Sequence, residues 1–210
     1  MAISRELFNK IREEHGEHAS WGIWAEPEES SSEGVEGMDI DIFQDVSEEI
    51  LSKLKPNFIL RGLNWSTGSV DTLMNFHSRD GNIAKLRYAI RNSPLHGAYM
   101  TDLIKNHSEP NSKALMKYLR SNPDVEKENV RNFENEISIL GTNNPVIIAL
   151  GKDVYTILNR NGLTEKYRVV KITHYSAPFG KNECPTGKAG EYHKRRVMPV
   201  LVQALNCKPW

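Results

Sequence analysis

The sequence predicts an α/β domain, a three-layer sandwich whose central sheet holds four mainly parallel strands flanked by helices. Three observations lead there. Four short apolar runs each end in polar residues, as strands buried on both faces do. Segments with apolar residues three or four apart separate those runs. The alternation itself favours parallel strands, because each helical crossover returns the chain to the same edge of the sheet.

Taken in order, residues 3–15 carry Ile3, Leu7, Phe8 and Ile11 at helical spacing. The stretch 19–25 reads as a short strand or a packed aromatic loop, and 26–39 as a polar, acidic loop. A helix is expected at about 44–54, where Val46, Ile50, Leu51 and Leu54 share a face. The four strands are 58–64, 98–104, 146–151 and 167–174. Helices are expected at 82–93, 112–120, 124–140 and 152–160, with a basic helix at about 190–206. At 210 residues, one domain spanning 1–210 accommodates all of this, with an acidic, flexible segment at 26–43.

Composition narrows the setting. The longest apolar runs fall short of the ~18 residues that cross a bilayer, and residues 1–18 are too charged for a signal-peptide core. Two cysteines, Cys184 and Cys207, form no paired ligand motif. The expectation is a cytoplasmic monomer without structural disulfides, membrane contact, metal or cofactor. Net charge is zero but unevenly spread. Residues 26–52 hold ten acids and no Lys or Arg, while 53–210 carry a formal excess of +11. A basic body of that size suits a polyanion, because neutralising phosphates releases counterions; it equally suits compensation of the acidic segment.

Ligands of such sheets bind beyond the carboxyl ends of the strands, which directs attention to Asn64, Asp102, Gly151 and His174. Gly62 would allow close backbone approach, and Asn64 could orient a water or equally cap a turn. A His at position 174 could stabilise charge developing on a leaving group, or be an ordinary hydrogen-bonded residue. His15 and His18 lack evident partners and are expected on the surface.

The order of these segments resembles the uracil-DNA glycosylase superfamily. Gly62-Leu63-Asn64-Trp65-Ser66 is similar to its G-I-N-P-G motif. Tyr99-Met100-Thr101-Asp102-Leu103-Ile104-Lys105, then Pro110-Asn111, follow its second-strand pattern. The run from Asn144 to Lys152 is similar to its P-K-V-I-V-A-L-G strand, and His174-Tyr175-Ser176 corresponds to its H-P-S. The resemblance spans about residues 57–180.

It implies hydrolysis of the N-glycosidic bond of a damaged or modified base in DNA, single- or double-stranded, after the nucleotide is flipped out of the stack. Asn64 would hold the attacking water and His174 the leaving base. Gly62, Leu63, Trp65, Ser66, Phe76, Asp102 and Ser176 would surround that base, with Phe76 stacking on it. Phe179 would wedge into the duplex, while Lys181, Lys188, Lys194, Arg195 and Arg196 contact phosphates. A non-catalytic nucleic-acid or nucleotide-binding protein of the same fold is the alternative. The departures are specific: Trp65 and Tyr175 replace prolines, and Asn106 stands where cluster-bearing relatives have a cysteine, so no iron–sulfur cluster is expected. Asp102 replaces the Asn that reads uracil. An ionised carboxylate only accepts, which opposes uracil O4 and suits an edge with two donors, such as that of guanine.

Overall fold

The computed structural model describes residues 3–24, 42–65, 71–77, 81–91, 93–178 and 192–206. The chain runs α1 (Arg5–His15), β1 (Ala19–Trp21), α2 (Glu48–Lys53), β2 (Lys55–Asn64), α3 (Gly81–Arg91), β3 (Ala98–Ile104), α4 (Ser112–Ser121), α5 (Pro123–Ile139), β4 (Val146–Leu150), α6 (Lys152–Arg160), α7 (Leu163–Lys166) and β5 (Arg168–Ile172). A π-helical turn (His193–Val197) then leads into α8 (Met198–Asn206).

Helix starts are locally determined. Ser4 accepts from Leu7 N–H, Ser47 from Ile50 N–H, and Asn111 from Lys113 and Ala114 N–H, each satisfying amides that have no partner inside the helix. Pro123 opens α5, where its missing N–H costs nothing.

The sheet has order β1-β3-β2-β4-β5. β3, β2, β4 and β5 are parallel, whereas β1 joins the outer edge of β3 antiparallel. This corrects the expected four-stranded sheet to a mixed five-stranded one. A three-residue run carries too little periodicity to declare itself, and its pairing depends on the exposed edge of β3. Helices flank the sheet. Ile59, Tyr99, Leu103 and Ile147 pack with Phe8, Leu115, Phe133 and Ile157 from α1, α4, α5 and α6. The alternate strand positions Leu60, Met100, Ile148 and Leu150 pack with Leu86, Ile90 and Leu201 from α3 and α8. No described helix is long and apolar enough to cross a membrane.

Because four strands are parallel, their carboxyl ends share one edge. Asn64 ends β2, Asp102 lies near the end of β3, and His174 follows β5 by two residues. The acidic loop from 25 to 41 lies outside the described residues, as do Ser66, Phe179, Lys181, Lys188 and both cysteines.

Candidate functional site

Asp102 is the most unusual group on this edge. It pairs in register with Gly62 on β2, and both project to the α3 side of the sheet. Gly62 is needed there: a Cβ would lie 2.0 Å from Asp102 Oδ1 and 3.1 Å from Phe76 Cζ. The space the glycine leaves thus belongs to the carboxyl and the ring, rather than to a ligand approaching the backbone. The amide of Asn75 donates to Asp102 Oδ2 at 2.9 Å. Burial pushes the Asp102 pKa up to about 6, against the pull of Asn75, Arg61 and Lys105.

The segment carrying Asn75 and Phe76 is pinned to the amino-terminal part of the chain. Leu73 N–H donates to Gly16 O at 2.7 Å, and Ser20 Oγ donates to Leu73 O at 2.6 Å. Asn75 Nδ2 also donates to His18 O at 2.8 Å, and His77 Nε2 contacts Trp21 O at 3.2 Å. Leu73 and Phe76 both have positive φ, at 64° and 69°. Side-chain-bearing residues rarely adopt that conformation, and it persists only where surrounding contacts over-determine it. Phe76 packs with Trp24, Leu60 and Met100, so its ring forms a wall beside Asp102.

Asn64 is half-buried, and its amide donates to Glu109 O at 2.8 Å and Trp65 O at 3.4 Å. Both amide hydrogens are thereby directed to backbone, and the carbonyl oxygen is the group that can accept from a ligand. Leu63 and Trp65 are half-buried beside it. The His18 and Trp65 rings meet edge-to-face, with centroids 5.3 Å apart.

Between β2 and β5 stands β4, topped by Gly151 at φ 103°. A Cβ there would come within 3.4 Å of His174 Cβ. β4 thus separates Asn64 from His174 along the edge, with the His174 side chain lying against Gly151. Helix α6 starts directly after Gly151 at the same edge, and its first amides meet no side-chain cap among the described residues.

His174 is oriented by its own turn. Ser176 N–H donates to Nδ1 at 3.2 Å, and Ser176 Oγ lies 2.7 Å from the same nitrogen. A backbone N–H can only donate, so Nδ1 is the acceptor and Nε2 carries the proton. Burial, and then the charge of Lys85 on α3, lowers the pKa, favouring the neutral ring. The imidazole stacks on Tyr175 at 4.2 Å.

A second buried cluster lies across the sheet. Glu136 of α5 accepts from Tyr99 Oη at 2.5 Å, Thr101 Oγ1 at 2.9 Å, Lys105 Nζ at 2.9 Å and Arg61 Nη1 at 3.3 Å. Burial opposes its ionisation, but Lys105, Arg61 and His15 overcome that and hold its pKa at about 2. The Arg61 guanidinium also lies 3.8 Å over the Phe133 ring, and its Nε and Nη2 have no hydrogen-bond partner among the described residues. Asn129 joins this face to the strand end, donating to Asn106 Oδ1 at 2.7 Å while accepting from Lys105 N–H at 2.9 Å.

His15 and His18 are not surface residues. Both are half-buried beneath the edge, and His15 Nε2 and His18 Nδ1 are buried without a partner among the described residues. Sequence reading missed Asn75 as well, since nothing local distinguishes an Asn 27 residues before its partner. Of the basic residues after His174, Lys194 and Arg195 are exposed on the π-helical turn. Arg196 donates to Ala177 O and Pro178 O, tying that turn to the chain just beyond Ser176. Among the described residues, no three His, Cys, Asp or Glu side chains are grouped so as to hold a metal ion.

Comparison with protein-family models, with curated proteins and with solved structures returns no match.

Proposed function

We propose that this chain binds a nucleobase at the carboxyl edge of its parallel strands and hydrolyses the N-glycosidic bond of a damaged or modified base in DNA. The observation that carries this reading is the set of three different polar groups at one edge, Asp102 on β3, Asn64 at the end of β2 and His174 just after β5, with Gly151 ending β4 between the last two. The three-layer uracil-DNA glycosylase-like arrangement expected from the sequence is the architecture in which those groups would act together.

Each group suits one step. Asn64 Oδ1 accepts from a water, aligning its oxygen toward the anomeric carbon of the sugar. As the bond to the base breaks with its electron pair passing to the base, the water oxygen bonds the anomeric carbon, and the proton the water sheds ends on the departing base. His174 Nε2–H donates to the oxygen where that charge accumulates, a contact stronger in the transition state than in the ground state. Asp102 and the Phe76 ring contact the base itself. The α6 amino terminus, with exposed Lys194 and Arg195, favours a phosphate backbone.

Incubating the chain with oligonucleotides carrying uracil, hypoxanthine or xanthine and scoring abasic sites tests this directly. Release of a base that is lost with both Asn64→Ala and His174→Ala supports the hydrolase. A second reading is base binding without cleavage, because a neutral Asn64 can align a water but cannot itself take its proton. Base-dependent binding with no release from any substrate would select that reading.

A further inference from the structure

The two oxygens of Asp102 are not equivalent. Asn75 Nδ2 has two hydrogens, and His18 O at 2.8 Å takes one of them. A carbonyl cannot donate, so the nitrogen and not the oxygen of the carboxamide must face this side. Its second hydrogen then points at Asp102 Oδ2, 2.9 Å away, and that oxygen is committed as an acceptor. Oδ1 is the remaining one. It lies over Gly62 beside the edge of Phe76, in a space that any Cβ at position 62 would close. The strained backbone of Phe76 and the ties of Leu73 to Gly16 and Ser20 hold ring, amide and carboxyl in one fixed relation.

A single acceptor oxygen beside an aromatic wall reads one hydrogen-bond donor on a flat ring. We propose that Asp102 Oδ1, oriented by Asn75, makes the site select heterocycles bearing an exocyclic amino group over those bearing a carbonyl at that position. This rests on the base-binding reading above and sharpens it. An unconstrained carboxylate would favour two adjacent donors; one whose second oxygen is occupied needs only one. Asn75 is here a positioning residue, because it acts through Asp102.

Asn75 from the 71–77 segment touches Asp102, while Arg61 of β2, Lys105 beyond β3 and Glu136 of α5 act on it electrostatically from the cluster across the sheet. Of these, Asn75, Arg61 and Lys105 favour its ionised form and Glu136 opposes it. Protonation at Oδ1 would leave the Asn75 bond to Oδ2 intact and would turn the reading atom from acceptor to donor.

The test uses the full chain and single-stranded oligonucleotides identical but for one position, cytosine against uracil and adenine against hypoxanthine. Each pair exchanges an amino group for a carbonyl. Affinity and base release are both measured from pH 5 to 8. At pH 7.5 the amino member of each pair should be preferred about tenfold to a hundredfold, the range expected when two acceptors are otherwise opposed. The preference should shrink as pH falls through about 6. Asp102→Asn should reduce it to within about threefold. Asn75→Ala should reduce it less and move its pH midpoint upward, which loss of packing alone would not do. Preference for the carbonyl members, or a preference unchanged by Asp102→Asn, overturns the inference while leaving base binding intact. Binding that ignores the varied base altogether removes the base-binding reading, and this inference with it.

Discussion

Two carboxyl groups are buried against opposite faces of the same pair of strands, and they are treated in opposite ways. Glu136 receives four donors, two of them cationic, and its pKa falls to about 2. Asp102 receives the Asn75 amide, and its pKa rises to about 6. Burial disfavours ionisation in both. What differs is the number and charge of the donors brought to meet it. Glu136 is compensated as a structural ion should be, joining α5 to β2 and β3. Asp102 stays under-compensated at the edge where ligands of parallel sheets bind, which is how groups that titrate near neutral pH are made.

The largest test of this contrast is Glu136→Gln. It leaves Arg61 and Lys105 buried without their counter-ion, so it should destabilise the fold by about 3–5 kcal/mol in denaturant titrations. A loss under about 1 kcal/mol would mean that water or movement relieves the cations.

Asp102→Asn should act in the other direction. The rise from 3.8 to about 6 means that ionising Asp102 opposes folding. The native state binds the proton more tightly than the unfolded chain, so the associated stability is complete below about pH 3.8 and is lost as pH rises through about 6. That window corresponds to roughly 3 kcal/mol at most. Asp102→Asn keeps an acceptor for Asn75 and removes the charge, so it should raise the melting temperature at pH 8 and leave it nearly unchanged near pH 4. Glu136 has the reverse sign: its contribution is present above about pH 4.5 and is lost as pH falls toward 2. Thermal melts across pH 2–8 should therefore show stability lost at the acid end through Glu136, and an alkaline decline that disappears in Asp102→Asn.

Gly62→Ala should cost about 1–3 kcal/mol, because the new Cβ meets Asp102 Oδ1 at 2.0 Å and the carboxyl cannot retreat far without leaving Asn75. A double-mutant cycle with Asp102→Ala should recover most of that cost; additivity would show that the clash lies elsewhere. The smallest expected effect is Asn75→Ala, about 1 kcal/mol for one hydrogen bond, read by chemical denaturation at pH 7.

Much of the architecture was legible in the residues. β3 falls on residues 98–104 and α6 on 152–160, as their patterns predict, and the other expected helices and strands appear within a few residues. Local signals suffice for these: apolar runs, period-3.6 faces, and Asn or Ser caps. They also located Asn64, Asp102 and His174 on one edge, because parallel strands turn their carboxyl ends the same way. Gly62 was legible as a glycine needed for close approach, but not what approaches it.

Only the tertiary structure decided the rest. β1 became a strand because β3 offered it an edge, and α7 is too short to show a period. The partners of the two carboxyls lie far along the chain, Arg61 75 residues from Glu136 and Asn75 27 residues from Asp102. A carboxyl's protonation state depends on burial and on donors that such distant segments bring to it. The sequence alone therefore determined where ionisable groups stand on the sheet, while packing determined which of them is held charged and which is left to titrate.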